Sequence, residues 1–165
     1  MTTKNRTRRS RKIGKHDIKR IIPYKEPFLF LDRIKSVGRN ELIAEKKLTR
    51  SSDFFKGHFV GFPLMPGMLT LEALGQAATF LVRCNIKDHL KKDILLYHIT
   101  SADFFAPLFP DDNIIIKVRI AKKSSKIFDC CGEVLNKNRV VCKARASLIV
   151  VERDEFRMRT LKKAR

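Results

Sequence analysis

The stretch FFKGHFVGFPLMPGMLTLEALGQAA, residues 54–78, decides the fold. Its first half is a loop, interrupted by Pro63 and Pro66. From Gly67 onward it turns helical. Leu69, Leu71, Leu74, Ala77, Phe80 and Leu81 fall on almost every side of the wheel. A helix that is apolar all round is a buried one. The spacing therefore predicts a buried helix from Gly67 to about Cys84, with Pro66 closing the loop before it. Within 54–78, His58 and Glu72 are the only histidine and the only carboxylate.

The flanking sequence supplies the cover. FLFLDRIKSV and NELIAEKKLT read as two strands about a turn at residues 38–40. ILLYHITSA, NIIIKVRIA, KIFDCCGEVL and RVVCKARASLIVV read as four more. IKVRIA and VCKARASLIV alternate apolar and polar residues, the pattern of a sheet with one wet face. HDIKRII reads as a short helix ended by Pro23, because the residue before a proline is pushed out of the α region. One buried helix and a set of antiparallel strands make an α+β fold, with a curved antiparallel sheet wrapped around a long central helix. A single sheet covers one side of such a helix, so a second copy of the chain is expected as partner. The expected organisation is a basic arm over 1–15, one domain over 16–151 and a basic tail over 152–165.

Charge marks the two ends. The 165 residues carry a net charge of +19. Met1 to Arg20 holds nine Lys or Arg against Asp17, and Arg153 to Arg165 holds six against Asp154 and Glu155. Basic ends suit nucleic acid, anionic lipid or an acidic protein, and equally a solvated arm. No nucleic-acid-binding motif accompanies the charge, so no specific nucleic acid is expected. No apolar run reaches the ~18 residues of a membrane span. The N-terminus lacks the apolar core of a secretory signal. Cys84, Cys130, Cys131 and Cys142 form no C-x-x-C pair. They read as reduced packing residues of a cytoplasmic protein.

A buried, unpaired carboxylate raises its pKa. Glu72 is therefore either neutralised by a structural partner or held for proton transfer, and the pattern leaves both open. Gln76 lies four residues on, on the same face. His58 sits among Phe55, Phe59 and Phe62, a setting that suits packing as well as chemistry. The four histidines show no metal-ligand spacing. No G-x-S-x-G supports a serine nucleophile. Gly67 opens the helix, where backbone N–H groups lack intrahelical partners and a ligand can approach closely. A base, an acid and an oxyanion donor are what removal of a proton α to a carbonyl, with loss of a β-hydroxyl, requires.

GHFVGFPLMPGMLTLEALGQAA closely resembles the active-site segment of the 3-hydroxyacyl-acyl-carrier-protein dehydratases of fatty acid synthesis. IKRIIPYKEPFLFLDRI resembles the opening segment of the same family, and SADFFAPLFPDDNIIIKVRI and NRVVCKARASLIV resemble its later strands. The resemblance implies the hotdog fold. It implies a hydro-lyase that dehydrates a 3-hydroxyacyl thioester to the trans-2-enoyl thioester. The substrate is carried on the phosphopantetheine of acyl carrier protein, with no further cofactor and no metal. It implies His58 and Glu72 as catalytic residues, Gly67 as the donor to the thioester carbonyl, and Phe59 and Met65 beside the substrate. It also implies a homodimer that can assemble into a trimer of dimers, with each site taking His58 from one protomer and Glu72 from the other. A thioesterase of the same fold and a non-catalytic acyl-binding protein are the alternatives.

Glu72 matches the plain dehydratase branch, while Val60 stands where that branch has proline. Asp103 to Pro107, DFFAP, stands where the family has the basic RFKRP. Tyr24 and Glu26 stand where it has His and Tyr. Positive charge elsewhere, including the N-terminal arm, is expected to draw in the acidic carrier.

Overall fold

The computed structural model describes residues 13–163. Most of the basic arm, residues 1–12, lies outside them. The chain begins with β1 (Ile13–Gly14), paired to a later strand, and α1 (Lys15–Ile21). The described elements thus begin before residue 16. α1 stops where expected: Ile22, ahead of Pro23, is extended at φ −108° and ψ 143°.

β2 (Arg33–Val37) and β3 (Glu41–Lys47) form a hairpin closed by Gly38 N–H donating to Glu41 O at 2.8 Å. The strand expected from Phe28 begins only at Arg33. Its first residues instead hydrogen-bond to a helix side chain, described below. α2 (Phe54–Gly57) is a single turn. α3 (Gly67–Arg83) is the buried helix, and its bounds match the expectation. A short 3-10 turn, His89–Lys91, leads to β4 (Lys92–Phe104). β5 (Asn113–Lys123), β6 (Ile127–Asn136) and β7 (Arg139–Glu152) complete the sheet.

The strand order is β1-β2-β3-β5-β6-β7-β4, and every neighbouring pair is antiparallel. β5 shows why the sheet has one dry face. Ile114, Ile116, Val118 and Ile120 are buried, while Lys117 and Arg119 between them are exposed. β6 and β7 are joined at Lys137 and Asn138, whose φ values of 47° and 63° fit the two-residue turn that matches strand twist.

α3 packs across β5, β3, β6 and β7. Ala73, Ala77, Phe80, Leu81 and Val82 are fully buried. One glycine permits the close approach. A Cβ at Gly132 of β6 would stand 2.7 Å from Leu74 Cδ2 and 2.8 Å from Lys117 O. At its far end α3 is tied to β4 by Arg83, a buried guanidinium that donates to the carbonyls of His89 and Lys92.

The basic C-terminal segment is helical: α4 (Arg153–Lys163) has no buried residue. It is held at its base by Asp93, which accepts from Arg153 Nε at 3.0 Å and Arg157 Nε at 3.1 Å. All four cysteines are free. Cys130 and Cys142 are buried packing residues, but Cys84 is exposed just beyond α3, where the chain leaves the core. No helix among the described residues is long and apolar enough to cross a membrane.

Candidate active site

Glu72 lies in the second turn of α3 and is half-buried. It lines a cavity of about 140 Å³ between the helix and strands β4 to β7. The walls are almost wholly apolar or small: Met68, Leu71, Gly75, Ala78, Ile94 and Leu148 among them. Burial pushes the Glu72 carboxyl above its ordinary value, against a smaller lowering by Gln76. Desolvation disfavours the charged form, so this acid is inclined to keep its proton.

Gln76 positions it. The residue is fully buried. Its Nε2 donates to Glu72 Oε1 at 3.0 Å and to Phe28 O at 2.8 Å. Its Oε1 accepts from Phe30 N–H at 2.8 Å. Both ends of the amide are used, so its orientation is determined by its partners. These bonds also explain why β2 starts late: Phe28 and Phe30 satisfy their backbone on α3 rather than on β3.

Tyr24 enters the same cavity from the loop after α1, and Thr79 of α3 lines it too. Burial, then the charge of Glu72, raises its pKa, opposed by Arg83 and Thr79. Thr79 is buried and lies seven residues after Glu72, on the same helical face. The sequence pattern made Tyr24 only a departure from the expected motif and passed over Thr79. The helical repeat from Glu72 was the signal for Thr79. Tyr24 had none, since it arrives from a distant loop.

His58 caps α2 and opens the loop that leads to α3. Its backbone is held at both sides, N–H to Phe54 O at 3.0 Å and O from Leu64 N–H at 2.8 Å. Its Nδ1 lies 3.0 Å from Leu64 O. A carbonyl oxygen only accepts, so this bond needs Nδ1–H and leaves the lone pair of the neutral ring on Nε2. That is the tautomer of a base working through Nε2. Phe59 stacks on the imidazole with ring centres 4.0 Å apart and is itself an exposed residue.

Gly67 and Met65 line a second cavity of about 310 Å³, with Thr70, Phe104, Phe105 and Leu108. Met65 is buried, its N–H bonded to Leu108 O at 2.8 Å. A Cβ at Gly67 would come 3.2 Å from the Phe104 ring, so glycine lets β4 lie against the helix start. As first residue of α3, Gly67 has no carbonyl one turn back for its N–H.

Within one chain the expected residues thus fall into separate groups. Glu72 lines one cavity, Gly67 and Met65 another, and His58 and Phe59 line neither.

A FabA-like domain matches residues 22–145. A 3-hydroxyacyl-[acyl-carrier-protein] dehydratase FabZ of Koribacter versatilis is 34% identical over 138 residues, 83% of this chain and 88% of that one. One from Chlamydia trachomatis serovar L2 is 34% identical over 147 residues, 87% and 96% of the two chains. Among solved structures, the dehydratase heterocomplex ApeI:P from Xenorhabdus doucetiae aligns with a TM-score of 0.73 at 17% identity, covering 86% of this chain and 95% of that one. A thioesterase from Haemophilus influenzae aligns with a TM-score of 0.56 at 12% identity, covering 72% and 77%.

Proposed function

The chain belongs to the FabA-like family and has the hotdog fold, and from this we propose that it removes water from a 3-hydroxyacyl thioester held on an acyl carrier protein. The product is the trans-2-enoyl thioester, in fatty acid or related acyl-chain synthesis. The observation that carries this reading is an acidic residue, Glu72, on the wall of a mostly apolar cavity, with its pKa raised by burial. The named activity of relatives at 34% identity over most of both chains supports it.

The residues then divide the work. Nε2 of His58 takes the C2 proton. The electron pair of that bond forms the C2–C3 double bond, and the C3–O bond breaks. The departing hydroxyl takes the proton of Glu72 and leaves as water. Gly67 N–H, at the positive end of α3, donates to the thioester oxygen as charge builds there. Gln76 holds the Glu72 carboxyl toward the cavity.

The reading includes a homodimer with shared sites, His58 from one protomer and Glu72 from the other. Two observations support it. His58 does not line the Glu72 cavity of its own chain. β4 lies at an edge of the sheet, and its Leu96 and Tyr97 are 56% and 64% exposed. A long edge strand with apolar side chains is a template for pairing with another chain. The acidic carrier is the macromolecular partner, drawn by the strong net positive charge rather than by residues 103–106, where Phe104 and Phe105 are exposed.

The test is to incubate the purified protein with a crotonyl pantetheine thioester. Reversible hydration to the 3-hydroxybutyryl thioester is expected. Release of free thiol instead identifies a thioesterase of the same fold, and no change identifies an acyl-binding protein. Either outcome overturns the dehydratase reading.

A further inference from the structure

Gly75 lies three residues after Glu72 on α3 and lines the same cavity. A glycine inside a helix is unfavourable relative to alanine, because its backbone loses more freedom on folding. Close packing is the usual reason to keep one, and Gly132 is such a case, with three atoms inside 3.0 Å of an added Cβ. Gly75 is not. A Cβ built there meets no atom within 4 Å, and its φ is not in the left-handed region. The chain's own packing therefore gives no reason for glycine at 75. What glycine leaves is open space at a residue that lines the cavity, three positions from Glu72.

The place and chemistry of that volume are informative. Helix positions three apart have Cβ atoms about 5–6 Å from each other. For a substrate whose C3 hydroxyl faces Glu72, the gap at Gly75 lies next to the first few acyl carbons beyond C3. Leu71, Ile99, Ala144 and Ala146 line the same cavity and offer only hydrocarbon. The missing group is about the size of a methyl.

Resting on the dehydratase reading, we propose that Gly75 is a specificity-determining residue: it widens the acyl cavity beside Glu72 and admits 3-hydroxyacyl groups with a methyl branch just beyond C3. A substituent of that size in a hydrophobic pocket is discriminated by about 10–200-fold when room for it is lost.

The experiment compares full-length protein with Gly75→Ala on pantetheine thioesters of 3-hydroxyhexanoate and of its 4-methyl and 5-methyl derivatives. The quantity read is the ratio of kcat/KM for each branched substrate to that for the straight one. For at least one branched substrate the ratio falls about 10-fold or more in Gly75→Ala, while Tm rises about 2–4 °C as the helix gains an alanine. A smaller fall for both branched substrates overturns the proposal. So does a lower Tm, which would mean that the fold itself needs the glycine. Failure of the unmodified protein to dehydrate 3-hydroxyhexanoyl thioester sinks the reaction assignment. Normal dehydration with an unchanged ratio sinks only the role of Gly75.

Discussion

The Gln76 amide nitrogen donates to Glu72 Oε1 at 3.0 Å, one turn apart on α3. The same amide carries Phe28 and Phe30 of a distant loop. Positioning of the acid and docking of that loop are therefore one structural event. Gln76→Leu strands the buried Phe30 N–H and releases the Phe28 carbonyl. Unsatisfied buried groups cost about 1–3 kcal/mol each, so a loss of about 2–4 kcal/mol is expected in urea unfolding. With its donor gone, the Glu72 carboxyl should titrate still higher, moving that limb of the kcat–pH profile upward. A profile that does not move would separate Gln76 from the acid.

Glu72→Gln should reduce kcat by about 10²–10⁴-fold, the range of general acid–base catalysis. Its stability should show the opposite sign of effect. The folded carboxyl titrates above the ordinary 4.5 because of burial. Between the unfolded and folded pKa values the native state holds a proton that the unfolded state lacks. Stability conferred by that proton is complete below 4.5 and is lost as pH rises through the folded value. The variant lacks this titration, so it should gain on the unmodified protein as pH rises through that window. Parallel Tm curves against pH would contradict the placement of Glu72.

His58→Ala should also lose about 10²–10⁴-fold in kcat. Mixed with Glu72→Gln under subunit exchange, it should regain part of the activity, because one site of each heterodimer receives both intact residues. Absence of recovery in verified heterodimers would place the two residues of each site in one chain.

Gly132→Ala tests the seam between α3 and the sheet. The new methyl would meet Leu74 at 2.7 Å, Lys117 O at 2.8 Å and Val118 at 2.9 Å. Backbone cannot yield as a flexible side chain can, so a loss of about 1–3 kcal/mol is expected in urea unfolding, as in other overpacked cores. Undiminished stability would show that the helix and sheet can separate without cost.

The buried helix, the hairpin turns and most strands were legible in the sequence because each rests on local rules. Pro66 and Gly67 mark a helix start, the β5 residues from Ile114 to Ile120 alternate, and Pro23 ends α1 through its own geometry. Glu72 stood out by the same logic, as a carboxylate in an apolar helix. What Gln76 bonds to, why β2 begins at Arg33 rather than Phe28, and how Tyr24 reaches the cavity all depend on residues more than forty positions apart. No periodicity encodes such pairings. The difference between Gly75 and Gly132 is of the same kind. Both are glycines inside regular elements, and only the packing around them decides that one is required by its neighbours and the other leaves a space.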